Sequence, residues 1–372
     1  MKKIYTITFH SSYNYGSNLQ AYALQKFIKK LCNCDYKIIN LRTNNQKNMY
    51  KNIYEKKDFG LKNKIKKIVM IKYKAQIFGK ENKFEDFINN YLDITNEYET
   101  LDEIKKIKFS ENSYFISGSD QLWNLQAKDF DWSNFLEFTD SANKISYSAS
   151  FGPIKYTMKK EDKNRIKQDL SKYKSISVRE EGSKKFINEI YDGEIYINVD
   201  PTLLLNVNEW KELIDDKPLL DYDYILLYDL SGKKETSEIA KLISKKLKMP
   251  VVITKFNGCK EILLPFKKYI DCGPKEFLNL EYNAKLVLST SFHGNVFATI
   301  FHKPFFAING DKDNRIKELL KITKLENRAI NIENVEEKLD NAFNISFDEA
   351  EKYLNKEREK SKDYLKKALD ID

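Results

Sequence analysis

Short runs of β-branched and aromatic residues alternate with longer stretches of helical spacing along the chain. That alternation predicts mostly parallel sheets wrapped by helices. In the first half the strand-like runs are Ile4 to Phe9, Lys37 to Asn40, Tyr114 to Ser117, Lys144 to Ala149, Lys174 to Val178 and Glu194 to Asn198. A second set follows Asp200-Pro201: Tyr224 to Tyr228, Val251 to Thr254, Tyr269 to Asp271, Leu286 to Ser289, Phe305 to Ile308 and Ala329 to Ile332. The plainest helix is Leu19 to Leu31, where Leu19, Tyr22, Ala23, Phe27 and Leu31 recur at near-helical spacing. A Ser-x-x-Glu capping box at Ser346-Phe347-Asp348-Glu349 opens a last helix running through Tyr353, Leu354, Tyr364, Leu365 and Leu369.

Two sets of strands in 372 residues imply two α/β domains and a cleft. The expected division is 1–205 and 206–345, placed where Leu203-Leu204-Leu205 gives way to Asn-rich sequence ahead of Trp210. A basic helical segment, 47–90, is assigned to the first domain, and the final segment, 346–372, is expected to pack back on it.

Composition narrows the class. With 41% hydrophobic and 13% aromatic residues the chain can fill two cores, and 32% charge is that of a globular exterior rather than a disordered chain. Cys32, Cys34, Cys259 and Cys272 have neither CxxC spacing nor histidine neighbours, so no disulfide framework or metal site is expected. Met1-Lys2-Lys3 runs into Ile4 to Phe9 as a first strand, without the apolar core or cleavage site of a leader, and no apolar run approaches the ~20 residues of a spanning helix. A cytoplasmic protein is expected.

The net charge of +9 is local: between Lys47 and Lys80 stand eleven lysines against Glu55 and Asp58 alone. Ile65, Ile68, Val69, Ile71 and Phe78 interleave them. Two readings remain open, a solvated lysine-rich helix or a peripheral surface for anions, either acidic membrane lipid or a diphosphate-linked acceptor. Nucleic acid is not expected, because no recognition motif accompanies the charge.

Four turns could carry chemistry. The first, Thr8 to Gln20, places Asn14, Gly16, Asn18 and Gln20 between strand and helix, where amides and backbone N–H groups converge on an oxygen-rich ligand or simply form a turn capped at Ser17 or Asn18. It is neither a Walker loop nor GxGxxG. The second, Gly118-Ser119-Asp120-Gln121-Leu122-Trp123-Asn124, offers a carboxylate able to act as general base for a sugar hydroxyl. It adds two amides and a flat ring for a sugar face; the alternatives are a capping aspartate and a core tryptophan. The third brings Arg179 to a strand end, for a carboxylate or phosphate or for an ion pair with Glu180 or Glu181, with Tyr147 to Gly152 and Asp200-Pro201-Thr202 as neighbouring strand ends. The fourth is Ser291-Phe292-His293-Gly294, preceded by Ser289 and Thr290, which sets a proton-transferring imidazole at a helix start. His10 is undecided, and His302 is expected to be structural or exposed.

In this order the motifs Asn14-Tyr15-Gly16 with Asn18-Leu19-Gln20, Gly118 to Asn124, Ser177-Val178-Arg179-Glu180, Asp200-Pro201-Thr202 and Ser291-Phe292-His293-Gly294 resemble the polysaccharide pyruvyl transferase family, from Ile4 to about Arg328. The resemblance implies two Rossmann-like domains in a GT-B-like arrangement with an interdomain cleft. It also implies transfer of the enolpyruvyl group of phosphoenolpyruvate, a co-substrate, to a hexose of a cell-surface polysaccharide or lipid-linked precursor, with no metal or other cofactor. The roles expected are His293 as general acid and Asp120 as base; Arg179, Ser289, Ser291, Gly294 and Arg315 on the donor; and Asn14, Gly16, Asn18, Gln20, Gln121, Trp123 and Asn124 on the acceptor. The sequence departs from the family at Ser291, where members often carry arginine, leaving Arg315, Arg328 or Lys303 to supply that cation. A GT-B glycosyltransferase using a nucleotide sugar, and a non-catalytic glycan-binding subunit of an assembly complex, are the other readings.

Overall fold

A computed structural model describes residues 1–52, 54–55, 60–152, 158–254 and 264–371, with the backbone alone for 62 and 69. Cys259 and parts of the basic segment lie outside the described residues. The chain divides into two compact units: Met1–Tyr50, Ile88–Leu205 and Asn355–Asp372 form the first, and Lys51–Phe87 with Asn206–Leu354 form the second.

The first unit is built on β1 (Lys2–Ile7), β2 (Cys34–Leu41), β3 (Ile94–Tyr98), β4 (Tyr114–Ser117) and β5 (Lys144–Ser146), paired in the order β3-β2-β1-β4-β5. All pairs are parallel, with Thr6 opposite both Ile38 and Ile116. Single parallel bridges, Ile145 to Ser175 and Ala149 to Val178, carry the surface on to β6 (Ile176–Val178) and β7 (Ile195–Ile197). The helix Tyr15–Leu31 starts one turn before the predicted Leu19. Its cap is Asn14, whose side chain accepts the N–H groups of Gly16 at 3.0 Å and Ser17 at 3.4 Å, rather than Ser17 or Asn18. It buries Leu19, Ala23, Leu24, Phe27 and Ile28.

Segment 355–372 belongs to this unit: Arg358 Nε donates to Leu203 O at 2.7 Å, and Tyr364 Oη to Ser146 O at 2.7 Å. Segment 51–87 does not, and here the structure departs from the expected division. Lys83 Nζ lies 3.1 Å from Asp271 and 3.4 Å from Glu276, which ties the helix Lys74–Tyr91 to the second unit.

The second unit is a six-stranded parallel sheet, β10-β9-β8-β11-β12-β13, made of β8 (Ile225–Tyr228), β9 (Val251–Ile253), β10 (Lys267–Lys268), β11 (Leu286–Ser289), β12 (Phe305–Ile308) and β13 (Ala329–Ile330). Ile225, Leu227, Ile243, Val251, Leu286, Leu288, Phe306 and Ile308 make its core. Asn206 and Glu209 form a capping box at its entry, each side chain satisfying the other's backbone N–H. The expected Tyr269 to Asp271 strand is replaced by Lys267–Lys268, and β3 was not anticipated at all.

Both sheets reverse their order at one place, between β1 and β4 in the first unit and between β8 and β11 in the second. Helices that leave such a point on opposite faces open a crevice at the carboxyl ends of the two strands. Among the described residues no helix is long and apolar enough to cross a membrane.

One buried group in the second unit makes the fold pH-dependent. Glu281 is 0% exposed on the helix Pro274–Asn283, and burial pushes its carboxyl well above the ordinary range, with only the backbone at Ala298 opposing. A raised carboxyl binds its proton on folding, so the stability tied to it is full below the ordinary carboxylate range and falls as pH rises above it. Glu281→Gln removes that dependence. Melting followed by circular dichroism should give similar midpoints for both proteins near about pH 4 and a midpoint several degrees higher for the variant near about pH 8.

Candidate active site

At the first switch point the chain leaves β1 and turns into the helix Tyr15–Leu31 through residues that bond chiefly to one another. Gln20 Nε2 donates to Thr8 Oγ1 at 2.7 Å and to Ser17 O at 2.9 Å; Asn18 Nδ2 donates to Ser12 O at 3.2 Å and to His10 O. Asn18 and Gln20 are both fully buried, so these amides fasten the turn to the helix instead of lining an open surface, as expected of acceptor-binding groups. His10 is equally enclosed, its ring nitrogens 2.9 Å from Asn40 Oδ1 and 3.1 Å from Thr8 O. Asn14 and Gly16 form the cap itself.

Across the switch point, β4 is followed by Gly118 with φ +130, where an added Cβ would run into the carbonyl of Tyr147. Asp120 follows in the left-handed region, φ +66. Its Oδ2 accepts from Ser17 Oγ at 2.9 Å and its Oδ1 from its neighbour Gln121 N at 2.8 Å. Arg179, delivered by β6, then gathers three carboxylates: Asp200 at 3.0 Å, Glu180 at 3.2 Å and Asp120 at 3.6 Å. Burial alone would lower the pKa of this guanidinium, but Glu180, Asp200 and Asp120 together hold it above its ordinary value.

The surrounding hydroxyls complete the carboxylates' shells. Ser150 Oγ and Ser183 Oγ donate to Glu180, and Thr202 Oγ1 to Asp200 at 2.7 Å. Side-chain exposure is 3% for Arg179, 6% for Glu180, 0% for Asp200 and 14% for Asp120, which makes Asp120 the accessible member. Of the expected alternatives for Arg179, the ion pair with Glu180 is made. The guanidinium is outnumbered by carboxylates, a setting that opposes its expected role of receiving a multiply anionic donor.

The rest of the second motif divides. Gln121 and Asn124 are half-buried and bonded to each other at 3.1 Å. Trp123 is fully buried, stacked on Phe135 with centroids 5.1 Å apart, and its Nε1 donates to Ser117 Oγ at 2.9 Å. A sugar-stacking ring needs one face reachable from solvent and Trp123 offers none, so the core alternative holds.

The second switch point joins the ends of β8 and β11. Thr290 Oγ1 donates to Asp229 Oδ1 at 2.9 Å, and Asp229 also receives Ser231 N at 2.7 Å. Ser289 Oγ accepts Ser291 N at 3.0 Å and lies under the helix Phe292–Ile300, where a side chain on Gly294 would collide with it. The glycine is therefore a packing requirement of the tetrapeptide. Ser291 is the N-cap residue but makes no side-chain cap bond; Asn295 Nδ2 instead donates to Ser291 O at 2.8 Å. His293 sits in the first turn, 7% exposed, its ring edge-on to Phe292 at 5.2 Å. His302 stacks on Phe347 at 5.0 Å with Nε2 3.5 Å from Glu351.

Among the candidate replacement cations, Arg315 alone follows a strand's carboxyl end, β12, in the first turn of the helix Asn314–Ile322, paired with Asp313 at 2.7 Å. Arg328 is spent on the carbonyls of Asn341, Ala342 and Asn344, and Lys303 precedes β12 at the opposite edge of the sheet. The sequence offered Ser17 only as a cap, whereas its hydroxyl bonds Asp120, and Asp229 was not among the candidates; the signal for Asp229 was a strand, Ile225–Tyr228, running straight into an Asp-x-Ser turn.

Two Rossmann-like units, each with a polar, partly enclosed turn at its switch point, define an α/β protein of the doubly wound class. The sequence profile of the polysaccharide pyruvyl transferase family matches residues 14–312, and the chain belongs to that family of transferases. No curated protein sequence matches it. Among solved structures, the S. aureus MnaA–UDP complex shares 12% identity at a TM-score of 0.57, covering 100% of this chain and 98% of that one. The UDP-GlcNAc 2-epimerase of Methanocaldococcus jannaschii shares 15% at 0.54, covering 94% and 93%, and that of Neisseria meningitidis, bound to UDP-GlcNAc, shares 10% at 0.52, covering 99% of each. These neighbours carry the GT-B class of fold expected from the sequence.

Arg179→Met leaves three carboxylates without their counter-charge. Urea unfolding should show a loss of roughly 3–5 kcal/mol near neutral pH. The loss should shrink on acidification, as protonation relieves the repulsion. A cation held ready for an external anion would instead leave stability almost unchanged when removed.

Proposed function

We propose that the chain transfers the enolpyruvyl group of phosphoenolpyruvate to two hydroxyls of a hexose, in a cell-surface polysaccharide or its lipid-linked precursor, and closes a pyruvate ketal. One observation carries the reading: three of the family's five motifs lie at the switch points of their sheets, after β1, β4 and β11, with a partly accessible carboxylate, Asp120, at one and an imidazole, His293, in the first helical turn at the other.

In this reading the second unit handles the donor. Backbone N–H groups at the start of the helix Phe292–Ile300, with Ser291, receive an anionic group. Arg315 exchanges Asp313 for the donor's carboxylate. His293 gives its proton to the methylene carbon, which becomes the methyl group and leaves the adjacent carbon electrophilic. The first unit handles the sugar. Asp120 takes the proton of the attacking hydroxyl, and Gln121 and Asn124 hold neighbouring hydroxyls. The second hydroxyl then adds to the same carbon as the bond between that carbon and the phosphate oxygen breaks, its proton leaving with inorganic phosphate. The proton on Asp120 returns to His293 through solvent. Arg179 is a positioning residue here: it orients Asp120 from 3.6 Å and does not touch the donor.

A second reading, a glycosyltransferase using a nucleotide sugar, is favoured by fold neighbours whose structures hold UDP or UDP-GlcNAc and by the serine at position 291. The two are separated by incubating the protein with phosphoenolpyruvate and candidate glycosyl acceptors while following phosphate release and the mass gain of a ketal. Product should form, and His293→Ala and Asp120→Asn should each lower kcat by roughly 10²–10⁴-fold with the fold intact. Tight binding of UDP together with indifference to phosphoenolpyruvate would sink the pyruvyl reading.

A further inference from the structure

The large hydrophobic side chains left in water are not scattered. Of the nine among the described residues, Leu61, Ile65, Ile68 and Ile71 fall within eleven positions, at 73%, 51%, 69% and 67% exposure. Leu61, Ile65 and Ile68 recur at i, i+4 and i+7 of the helix Leu61–Val69, so they share one face, and Ile71 follows in the next turn. The opposite side of this segment is fastened down. Met70 is 4% exposed, Tyr54 Oη donates to Lys67 O at 3.3 Å, and Tyr54 stacks on Phe78 with centroids 6.1 Å apart. The apolar stripe is thus held outward by a supported helix.

The charge around the stripe is of one sign. From Gly60 to Lys80 the sequence has seven lysines and no acidic residue. Lys64 and Lys72 are exposed, and Lys66 and Lys67 half-exposed, alongside the isoleucines. A second copy of the same face would set lysine against lysine, and an ordinary solvated helix has no need of four exposed aliphatic side chains. An apolar face bordered by lysines fits an interface in which acyl chains lie beneath anionic headgroups.

We propose that the Leu61–Ile71 face docks the protein on an anionic lipid membrane, lying in the headgroup plane with its aliphatic side chains inserted. The proposal holds whichever donor the enzyme uses. The test is co-sedimentation of the full chain with vesicles of equal parts phosphatidylglycerol and phosphatidylcholine, and with phosphatidylcholine alone. The protein should pellet with the anionic vesicles, release at high salt and bind the neutral ones weakly. Lys64→Gln, Lys66→Gln and Lys67→Gln should each cost roughly fivefold in partition, and the triple variant on the order of 100-fold. Ile65→Ser with Ile68→Ser should abolish binding while the melting profile stays that of the parent. Failure to bind anionic vesicles, equal binding to neutral ones, or unaltered binding by the isoleucine variant would overturn the proposal. So would sedimentation velocity showing that the isoleucine variant converts a dimer to a monomer, which would give the face to a second copy.

Discussion

Parallel strands cannot be joined by tight turns; each must be reached by a crossover that runs back along the sheet. Every strand in both units obeys this, so all carboxyl ends of a sheet share one edge and every following turn emerges there. The strand order then decides which turns matter. In the first unit the chain fills one side with β2 and β3 before beginning the other with β4, and the second repeats the device with β8 to β10 and then β11. Asp120 and His293 owe their positions to this constraint more than to any local preference of their own residues.

The second organising force is the cost of a buried charge. Arg179 is nearly inaccessible, and a guanidinium removed from water requires counter-charge and a full set of acceptors. Asp200, Glu180 and Asp120 provide the charge, and Ser17, Ser150, Ser183 and Thr202 satisfy the carboxylates in turn. The small hydroxyl residues at the ends of β4 to β7 therefore serve the protein's own ion cluster. What is left for a ligand is the rim of that cluster, where the Asp120 side chain retains some access to solvent.

These findings explain what local sequence could reveal. β11 and β12, buried on every residue, read clearly and were located to the residue. β3 escaped because Ile94-Thr95-Asn96-Glu97-Tyr98 is an edge strand whose exposed Asn96 and Glu97 break the apolar run. Residue type at the turns was legible, but direction was not. Nothing near Trp123 in the chain says that Phe135 will cover it, and nothing near Asn18 or Gln20 says that their amides turn inward. The attachment of the basic segment depends on Lys83 meeting Asp271, 188 positions away, beyond the reach of periodicity. The family was legible through the ordered motifs, since five weak patterns in sequence constrain a family more tightly than any one constrains a site.

The first unit is assembled from three separated stretches of chain, the last being Asn355–Asp372. Ser361 Oγ bonds at Val199 N, Arg358 at Leu203 and Lys2 Nζ at Leu369 O, so this stretch touches both the opening strand and the turn after β7. During synthesis the ribosome must therefore deliver the whole second unit before the first can close. β1 to β7 and every residue of the ion cluster precede Leu205, so the sheet and the cluster around Asp120 are synthesised early, and only the covering stretch Asn355–Asp372 has to wait for the second unit.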